Sequence, residues 1–250
     1  AFYREIAHGT TTFALPEVIE QGQDGGIAYS VDRLIDGRPL DALLSRLHRI
    51  ERDRALASYR DAAFEIAPLP CNRPGYGEFL RDDDAIHAGS WSEYLLARMR
   101  RSLHASPWLA IDVAQLDVIV DALAERIRAL PPAPPTLVHG DYFPGNVLMS
   151  DALTVAGVID FGPLTVIGDP ALDLVSALTF LELAPGCTPD DTEFVRARLT
   201  ARGGPAMLDA MTTYRGWYAI RFAPYRLDDP KLYAWCVHSL REVAHTLLAG

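Results

Sequence analysis

The stretch LVHGDYFPGNVLMSD, residues 137–151, places an acid at Asp141 and an amide at Asn146, five residues apart. The runs TLV before the pair and NVLMS after it are short and apolar, which is typical of strands. The PG dipeptide between the two polar residues interrupts regular structure. The chain therefore presents an acid and an amide on a loop between two strands. Asp and Asn also cap loops without any chemistry, so the rest of the sequence has to decide between the two roles.

A third polar residue, Asp160, lies fourteen positions after Asn146 in GVIDFGPL. The runs NVLMS and LTVAGVID are predicted to be strands joined by a turn at Ser150 and Asp151. Two loops joined by this hairpin would bring Asp141, Asn146 and Asp160 to one edge of a small sheet. A carboxylate and an amide oxygen are hard ligands suited to Mg²⁺, and a further carboxylate can orient an attacking hydroxyl and accept its proton. Phosphoryl transfer requires these parts.

HGDYFPGN together with VIDFG resembles the signature of the aminoglycoside phosphotransferase and choline kinase family, which shares the protein-kinase-like fold. GDPALDL downstream, and GYGEFL with SWSEYLL upstream, are similar to the same family. The resemblance covers roughly residues 1–180, and the helical end of the chain only in architecture. It implies an α+β, two-lobed fold with an incomplete N-lobe and a mainly helical C-lobe.

The resemblance also implies roles for the motif residues. Asp141 would be the catalytic base, and Asn146 and Asp160 would hold Mg²⁺. His139 would shape the catalytic loop, and ATP or GTP would be the phosphate donor. The hinge that holds adenine through backbone groups would lie near four residues. These are Val31, Asp32, Arg33 and Leu34.

Other polar clusters have two interpretations. Asp169 and Asp173 of GDPALDL match acids of the family, but capping of the following helix is the simpler account. A later acidic cluster lies where the family often binds cationic substrates, and acids at a helix N-terminus explain it equally well. These acids are Asp190, Asp191 and Glu193. A third group could suggest a metal site, but we interpret it as a solvated or partly buried helix face. This group is His238, Glu242 and His245.

Gly140 stands where protein kinases have the arginine of their HRD motif, which engages a phosphorylated activation loop. DPALDL begins seven positions after Gly162. A regulated activation segment with a peptide-docking surface would need more chain than that. We therefore expect a small-molecule kinase without a phosphorylation switch, with the substrate hydroxyl among the C-terminal helices.

The chain is expected to divide at residue 34. Residues 1–34 would be the remnant of an N-lobe, with the end of a helix, a β-hairpin at 15–34 and the hinge. Residues 35–250 would be the helical C-lobe with the catalytic and metal-binding loops. Hydrophobic spacing and capping signals predict further elements. These are a helix over 40–50, a loop over 67–90, a helix starting near Ser90 and Glu93, a helix over 111–130, and mostly helix after Pro170.

Parts of the family's N-lobe are not recognisable in the sequence. The lobe opens with a glycine-rich strand pair over the phosphates, followed by a strand lysine and a helix glutamate that pairs with it. Glu5 sits where that glutamate would be, but no glycine-rich loop precedes it and the single lysine is Lys231. Two explanations are open: the chain is a portion of a longer protein, or it is a natural short form with weak or no kinase activity. We favour the first.

The composition excludes some partners. The chain has 23 basic and 33 acidic residues, a formal net charge of −10. This charge argues against a nucleic-acid partner, which needs a basic face, and is compatible with a cationic substrate. No apolar run is long enough to predict a membrane span, and AFYREIAHGT lacks the pattern of a secretory signal. Three scattered cysteines suit a reducing compartment, so we expect a cytoplasmic protein.

Three functional hypotheses remain. The first is an ATP-dependent phosphotransferase that moves the γ-phosphate to a hydroxyl of a small, cationic molecule such as an aminoglycoside antibiotic, which would give antibiotic resistance. The second is a kinase of a metabolic alcohol such as choline, homoserine or a sugar. The third, from a different class, is a catalytically weak pseudokinase or binding scaffold that keeps the C-lobe.

Overall fold

A computed structural model describes residues 11–67, 69, 71, 73–79 and 84–248 of the chain. Glu5, the predicted N-lobe helix glutamate, lies outside the described residues.

The first described element is a β-hairpin. Strands β1 (Val18–Asp24) and β2 (Ile27–Asp32) pair antiparallel. The two residues between them, Gly25 and Gly26, have φ of 55° and 86°. Positive φ at both central positions gives the tight hairpin turn whose twist matches that of the strands. The hairpin predicted over 15–34 is therefore confirmed, and almost all of its residues are exposed.

The predicted single helix over 40–50 was wrong. After the short strand β3 (Arg38–Pro39), helix α1 spans only Leu40–Leu44, and a separate helix α2 spans Arg49–Ile66. The Glu51 carboxylate accepts the backbone N–H of His48 at 3.1 Å, which satisfies a free donor and starts a new helix there. The apolar spacing continues across the break, so periodicity alone could not show it.

In the middle of the chain, the described residues form two short strands and three helices. The predicted loop over 67–90 holds strands β4 (Tyr76–Glu78) and β5 (His87–Ala88). Helix α3 (Trp91–His104) begins at the predicted capping box. The helix predicted over 111–130 is in fact two, α4 (Leu109–Asp112) and α5 (Leu116–Ala129). Gln115 separates them in a left-handed conformation, with φ of 56°.

Four more strands complete two small antiparallel sheets. They are β6 (Thr136–Val138), β7 (Val147–Met149), β8 (Val155–Val158) and β9 (Val166–Gly168). One sheet has the order β3–β7–β8, and the other β5–β4–β9–β6. The β7–β8 hairpin predicted from the sequence is confirmed.

This topology places two loops side by side. The loop after β6 leaves the four-stranded sheet and enters the three-stranded sheet at β7. The loop after β8 makes the return crossing and enters the four-stranded sheet at β9. Because β7 pairs with β8 and β6 pairs with β9, both loops cross the same gap between the sheets.

The chain after Pro170 is mainly helical, as predicted. Helices α6 (Ala171–Thr179), α7 (Pro189–Phe222) and α8 (Pro230–Leu248) pack together, and α7 also packs on α3. Cys236, Leu240 and Val243 form the buried face of α8. Among the helices of the described residues, none combines the length and apolarity that a membrane crossing would need.

Candidate active site

The loop between β6 and β7 brings Asp141 and Asn146 into direct contact. A short 3₁₀ turn over Pro144–Asn146 reverses the chain. The Asn146 amide nitrogen then donates to the Asp141 backbone oxygen at 3.0 Å and to its Oδ2 at 3.2 Å. Both donors of the amide face Asp141, so the Asn146 Oδ1 is the atom that this side chain offers to a cation.

Asp160 joins this pair through strand register. Val147 lies opposite Val158, and the Ile159 N–H donates to the Asn146 backbone oxygen at 2.9 Å. Asp160 is therefore the next residue after the one paired with Asn146. Its φ is 63° and it is exposed. The meeting of Asp141, Asn146 and Asp160 at one sheet edge is what the sequence pattern predicted.

His139 connects the two loops. Its Nδ1 accepts the Asp141 backbone N–H at 3.2 Å, so the proton lies on Nε2, which donates to the Ile159 carbonyl at 2.8 Å. Burial lowers the pKa of His139 to about 4, although the hydrogen bond to Ile159 raises it. The ring is fully buried and lies 4.4 Å from the Phe161 ring, centroid to centroid. Neutral His139 thus bridges the two loops through both ring nitrogens. That it shapes a catalytic loop stays a prediction.

The Asp173 side chain anchors the start of the β6–β7 loop, and the sequence did not reveal this contact. Its carboxylate accepts the backbone N–H of His139 at 2.7 Å and of Gly140 at 2.9 Å. Burial raises the pKa of Asp173 to about 7, while these two donors lower it. The prediction that Asp173 caps its helix was wrong. The same capping prediction is confirmed for Asp169, whose Oδ1 accepts the Ala171 N–H at 2.8 Å.

Two signals for Asp173 were available: its match to an acid of the family in GDPALDL, and its place within the first turn of a helix, one turn after Asp169. A capping acid precedes the helix, whereas an acid inside the first turn can point away from the helix axis into the fold. The sequence alone does not show which groups bind the Asp173 carboxylate.

Gly140 has a steric reason to be glycine. Its φ is 76°, and a Cβ at this position would lie 2.0 Å from the Leu164 carbonyl oxygen. Leu164 belongs to the loop after β8, so the two loops touch backbone to backbone here. The Gly140 carbonyl also accepts the Tyr218 hydroxyl at 3.3 Å. An arginine, as in the HRD motif, has no space at this position.

The environment of Asp141 favours the protonated acid. The pKa of Asp141 is raised to about 6, because burial and the charge of Asp160 raise it by more than the hydrogen bond from Asn146 lowers it. A carboxylate that titrates close to neutral pH is suited to general base catalysis.

Asn146 and Asp160 fit a magnesium ion. Magnesium usually takes one or two protein ligands and completes its shell with substrate phosphates and water. One amide oxygen and one carboxylate at adjacent strand ends match that small donor set. Among the described residues, no larger cluster of His, Cys, Asp and Glu suits a metal.

The interpretation of His238, Glu242 and His245 as a helix face agrees with the contacts. His238 and Glu242 are exposed and lie 3.4 Å apart, and Glu242 also binds Arg215 at 2.8 Å.

The predicted hinge and Asp160 line one cavity of about 290 Å³. Asp32, Arg33 and Leu34 form one side, and the Leu148 and Ile159 side chains contribute to its wall. Val31 is not among the lining residues. The Arg33 N–H already donates to the Glu17 carbonyl at 2.7 Å, so this donor is not available to a base. The nucleotide role of Val31–Leu34 stays a prediction.

The three acids near residue 190 differ from one another. Asp191 is fully buried, and both of its oxygens bind Arg52 at 2.7 Å. Its Oδ2 also accepts the Thr188 N–H at 2.7 Å. These contacts give Asp191 a structural role and leave it no exposed surface for a substrate. Asp190 and Glu193 are exposed, and their substrate-binding role stays a prediction.

The fold and the loop pair define a protein of the kinase-like class. More narrowly, the chain belongs to the phosphotransferase enzyme family, whose sequence pattern matches residues 1–217. The resemblance read from HGDYFPGN and VIDFG is thereby confirmed. No curated protein matches the sequence.

Solved structures of aminoglycoside phosphotransferases share the fold. A thermostable mutant of APH(4)-Ia, in a ternary complex with ADP and hygromycin B, superposes with a TM-score of 0.74 at 18% identity, covering 100% of this chain and 83% of that chain. The gentamicin complex of APH(2")-IIa superposes with a TM-score of 0.59 at 19% identity, covering 96% of this chain and 78% of that chain. APH(3'')-Id from Streptomyces rimosus, in complex with ADP and streptomycin, superposes with a TM-score of 0.56 at 18% identity, covering 89% of this chain and 80% of that chain. The kinase-like fold expected from the motifs is therefore confirmed.

Proposed function

We propose that the protein is an ATP-dependent phosphotransferase that moves the γ-phosphate to a hydroxyl group of a small cationic molecule. The observation that carries this proposal is the contact of Asp141 with Asn146 at 3.2 Å, with Asp160 next in register. One carboxylate for the nucleophile and two oxygen donors for a cation are thereby combined in one place.

In the proposed reaction, Asp141 acts on the attacking group. Its carboxylate accepts the proton of the substrate hydroxyl as that oxygen bonds to the γ-phosphorus. The bond from the γ-phosphorus to the β,γ-bridging oxygen breaks, and ADP leaves with the electron pair. Magnesium, when bound by Asn146 and Asp160, would neutralise phosphate charge. The buried, neutral His139 and the acceptor Asp173 keep the loop in position throughout.

A cationic substrate is supported by charge. The chain has a net charge of −10, and Asp160, Asp190 and Glu193 are exposed acids of the catalytic half. The similar structures hold hygromycin B, gentamicin or streptomycin. We therefore propose an aminoglycoside-like substrate, ahead of choline, homoserine or a sugar.

The test is a turnover assay with ATP and a panel of aminoglycosides, choline-like alcohols and amino-alcohols. Phosphorylated product would be identified by mass spectrometry. Asp141→Asn should lower kcat/KM by about 10³-fold, the size typical of losing a general base. Its melting temperature should not fall, because the amide keeps the shape and removes a carboxylate that burial disfavours.

Asp151→Asn is the matched control, since Asp151 is an exposed acid in the neighbouring β7–β8 turn. Its kcat/KM should equal that of the parent protein. Turnover that survives in Asp141→Asn would refute the role of Asp141 as base. Nucleotide binding without turnover of any compound would favour the scaffold hypothesis instead.

A further inference from the structure

A cavity of about 500 Å³ lies away from the catalytic loops. It opens between the end of α5, the proline segment at 131–132 and the middle of α7. It shares no lining residue with the cavity beside Asp160. Most of its wall is apolar, and Leu130, Pro131, Pro132, Met207 and Ala210 contribute to it. A volume of this size is typical of small-molecule sites.

A break in α7 shapes one wall of this cavity. Gly204 has φ of 61° and ψ of −154°, which no helix allows, and Pro205 follows it. A Cβ on Gly203 would lie 2.6 Å from the Met207 Cβ. Glycine at 203 therefore lets Met207 pack close to the break, and the sequence GGPAM builds this wall.

One buried carboxylate, Asp169, lies at the cavity. It is 7% exposed. Its Oδ1 accepts the Ala171 N–H at 2.8 Å, and its Oδ2 accepts the Tyr214 hydroxyl at 2.6 Å. An ionised carboxylate has about four acceptor positions, so two of them are used. Within the described part of the chain, no arginine or lysine forms an ion pair with Asp169.

The other charges of the cavity cancel. Asp209 and Arg126 both line it and bind each other at 2.9 Å. Asp169 is therefore the one carboxylate of the cavity that no basic side chain of the described residues pairs with, and it lies next to apolar walls.

We propose that this cavity is a second ligand site, which binds a small amphipathic organic cation with one ammonium group. The ammonium would donate to Asp169, and the apolar part would lie against Pro131, Pro132 and Met207. A neutral molecule of the same shape would lose the charge-assisted hydrogen bond, and an anion would be repelled.

The test uses methyl NMR of the full chain labelled at methionine, because the methionines report on separate places. Met207 lines this cavity, Met211 lines a different one, and Met99 and Met149 are buried elsewhere. The probes are 2-phenylethylamine and its neutral analogue 2-phenylethanol. The amine should shift the Met207 methyl signal, with an apparent affinity about tenfold above that of the alcohol.

Three variants examine the same binding. Asp169→Asn should remove the preference for the amine, and Asp117→Asn, at an exposed acid outside the cavity, should keep it. Ala206→Phe introduces a large side chain at an exposed residue that lines the cavity, and it should abolish the Met207 shift. This variant also decides the matter if Asp169→Asn fails to fold, because Ala206 is exposed and supports no core contact.

The proposal is refuted if millimolar amine leaves Met207 unshifted or if the alcohol binds equally well. It is also refuted if the shift survives in Ala206→Phe. A shift confined to Met211 would place the amine in another cavity and would equally refute it.

Discussion

The surroundings of Asp141 disfavour its ionised form, but only the ionised carboxylate can accept a proton from the substrate hydroxyl, as we propose. Burial and the neighbouring Asp160 both raise its pKa, which reaches about 6. His139 of the same loop has a pKa of about 4 and is neutral at any ordinary assay pH, and burial holds the pKa of the Tyr142 hydroxyl well above its usual value, so neither group gives an acid limb. The acid limb of an activity profile should therefore belong to Asp141.

We predict that kcat/KM falls at acid pH, by about tenfold per pH unit below the pKa of Asp141. This midpoint should lie below the value of about 6 that burial and Asp160 give in the metal-free protein, because a magnesium ion held by Asp160 would oppose the charge of that acid. The sign follows from the role, since only the ionised carboxylate can accept the hydroxyl proton. The measurement is a pH profile of kcat/KM with saturating Mg·ATP at fixed ionic strength.

The substitution Asp160→Asn separates the effect of the Asp160 charge on the Asp141 pKa from the effect of burial. In Asp160→Asn the like charge is lost, so the pKa of Asp141 should move down, and carboxyl NMR of the apo protein would show it. An unchanged pKa would mean that burial alone is responsible.

Gly140 allows a second prediction, on stability. Gly140→Ala should lower the free energy of unfolding by about 2 kcal/mol or more, because it combines positive φ with a backbone clash. Chemical denaturation would measure it. Gly25→Ala is the control, since Gly25 has φ of 55° but no atom within 4 Å of the added Cβ. Equal losses in the two variants would show that the Leu164 contact has no energetic effect.

The sequence predicted which residues meet in the candidate site, but not the residues that support them. Asp141, Asn146 and Asp160 were predictable because loop position and chain spacing alone determine that they meet. The anchor Asp173 was not, because its partners are backbone N–H groups thirty-four and thirty-three residues away. Backbone donors carry no residue signature, so no pattern in the sequence marks them.

At the scale of elements, one buried ion pair joins α2 to the start of α7. Arg52 binds both oxygens of Asp191, and its other donors contact the carbonyls of Leu44 and Gly186. Burial would raise the pKa of Asp191, but its hydrogen bonds with Arg52 and Thr188 outweigh burial and lower it. The pair holds together the ends of α1, α2 and α7.

We predict that Asp191→Asn lowers the free energy of unfolding by about 3 kcal/mol at pH 7, since Arg52 is left buried without its counter-charge. Because the folded pKa of Asp191 is depressed, this contribution exists above about pH 4 and disappears as the pH falls further. Denaturant melts of parent and variant at pH 7 and at pH 3 would measure it.

Asp190→Asn is the neighbouring control, because the Asp190 side chain is 81% exposed. Its unfolding free energy should stay close to that of the parent. Equal losses of unfolding free energy in Asp191→Asn and Asp190→Asn would show that the ion pair between Arg52 and Asp191 contributes no more to stability than an exposed acid does.

Element boundaries were predictable where a local cap exists. Ser90 and Glu93 exchange hydrogen bonds at 3.2 and 3.1 Å, and α3 starts where their spacing indicates. The break between α1 and α2 was missed because leucines and Ile50 continue the helical period across it. Capping of His48 by Glu51 starts a new helix although the helical spacing of apolar residues continues. The spacing alone cannot show which of these two local signals determines the helix boundary.

For the whole molecule, the gap between the two small sheets is the decisive feature. The β6–β7 loop and the β8–β9 loop cross it in opposite directions, and Asp32, Arg33 and Leu34 line the cavity beside them. A nucleotide bound there would contact segments more than a hundred residues apart in the chain. Its binding should therefore oppose global unfolding.

We predict that Mg·ATP at about 100 times its Kd stabilises the protein by about 2.7 kcal/mol. The shift in melting temperature should be about 5–10 °C. Differential scanning calorimetry with ATP alone, Mg²⁺ alone and both would measure it. In Asp160→Asn the extra stabilisation by Mg²⁺ should be lost. Mg²⁺-dependent stabilisation that persists in this variant would rule Asp160 out as a ligand.

The contact between Gly140 and Leu164 also limits how the protein can evolve. Any side chain at position 140 meets the backbone of the opposite loop, so the arginine that couples related kinases to a phosphorylated segment cannot be gained by one substitution. Both loops would have to move apart first, and intermediates would misplace Asp141 relative to Asp160. Control of this protein by phosphorylation at this loop would therefore require coordinated substitutions in both loops, and no single substitution can introduce it.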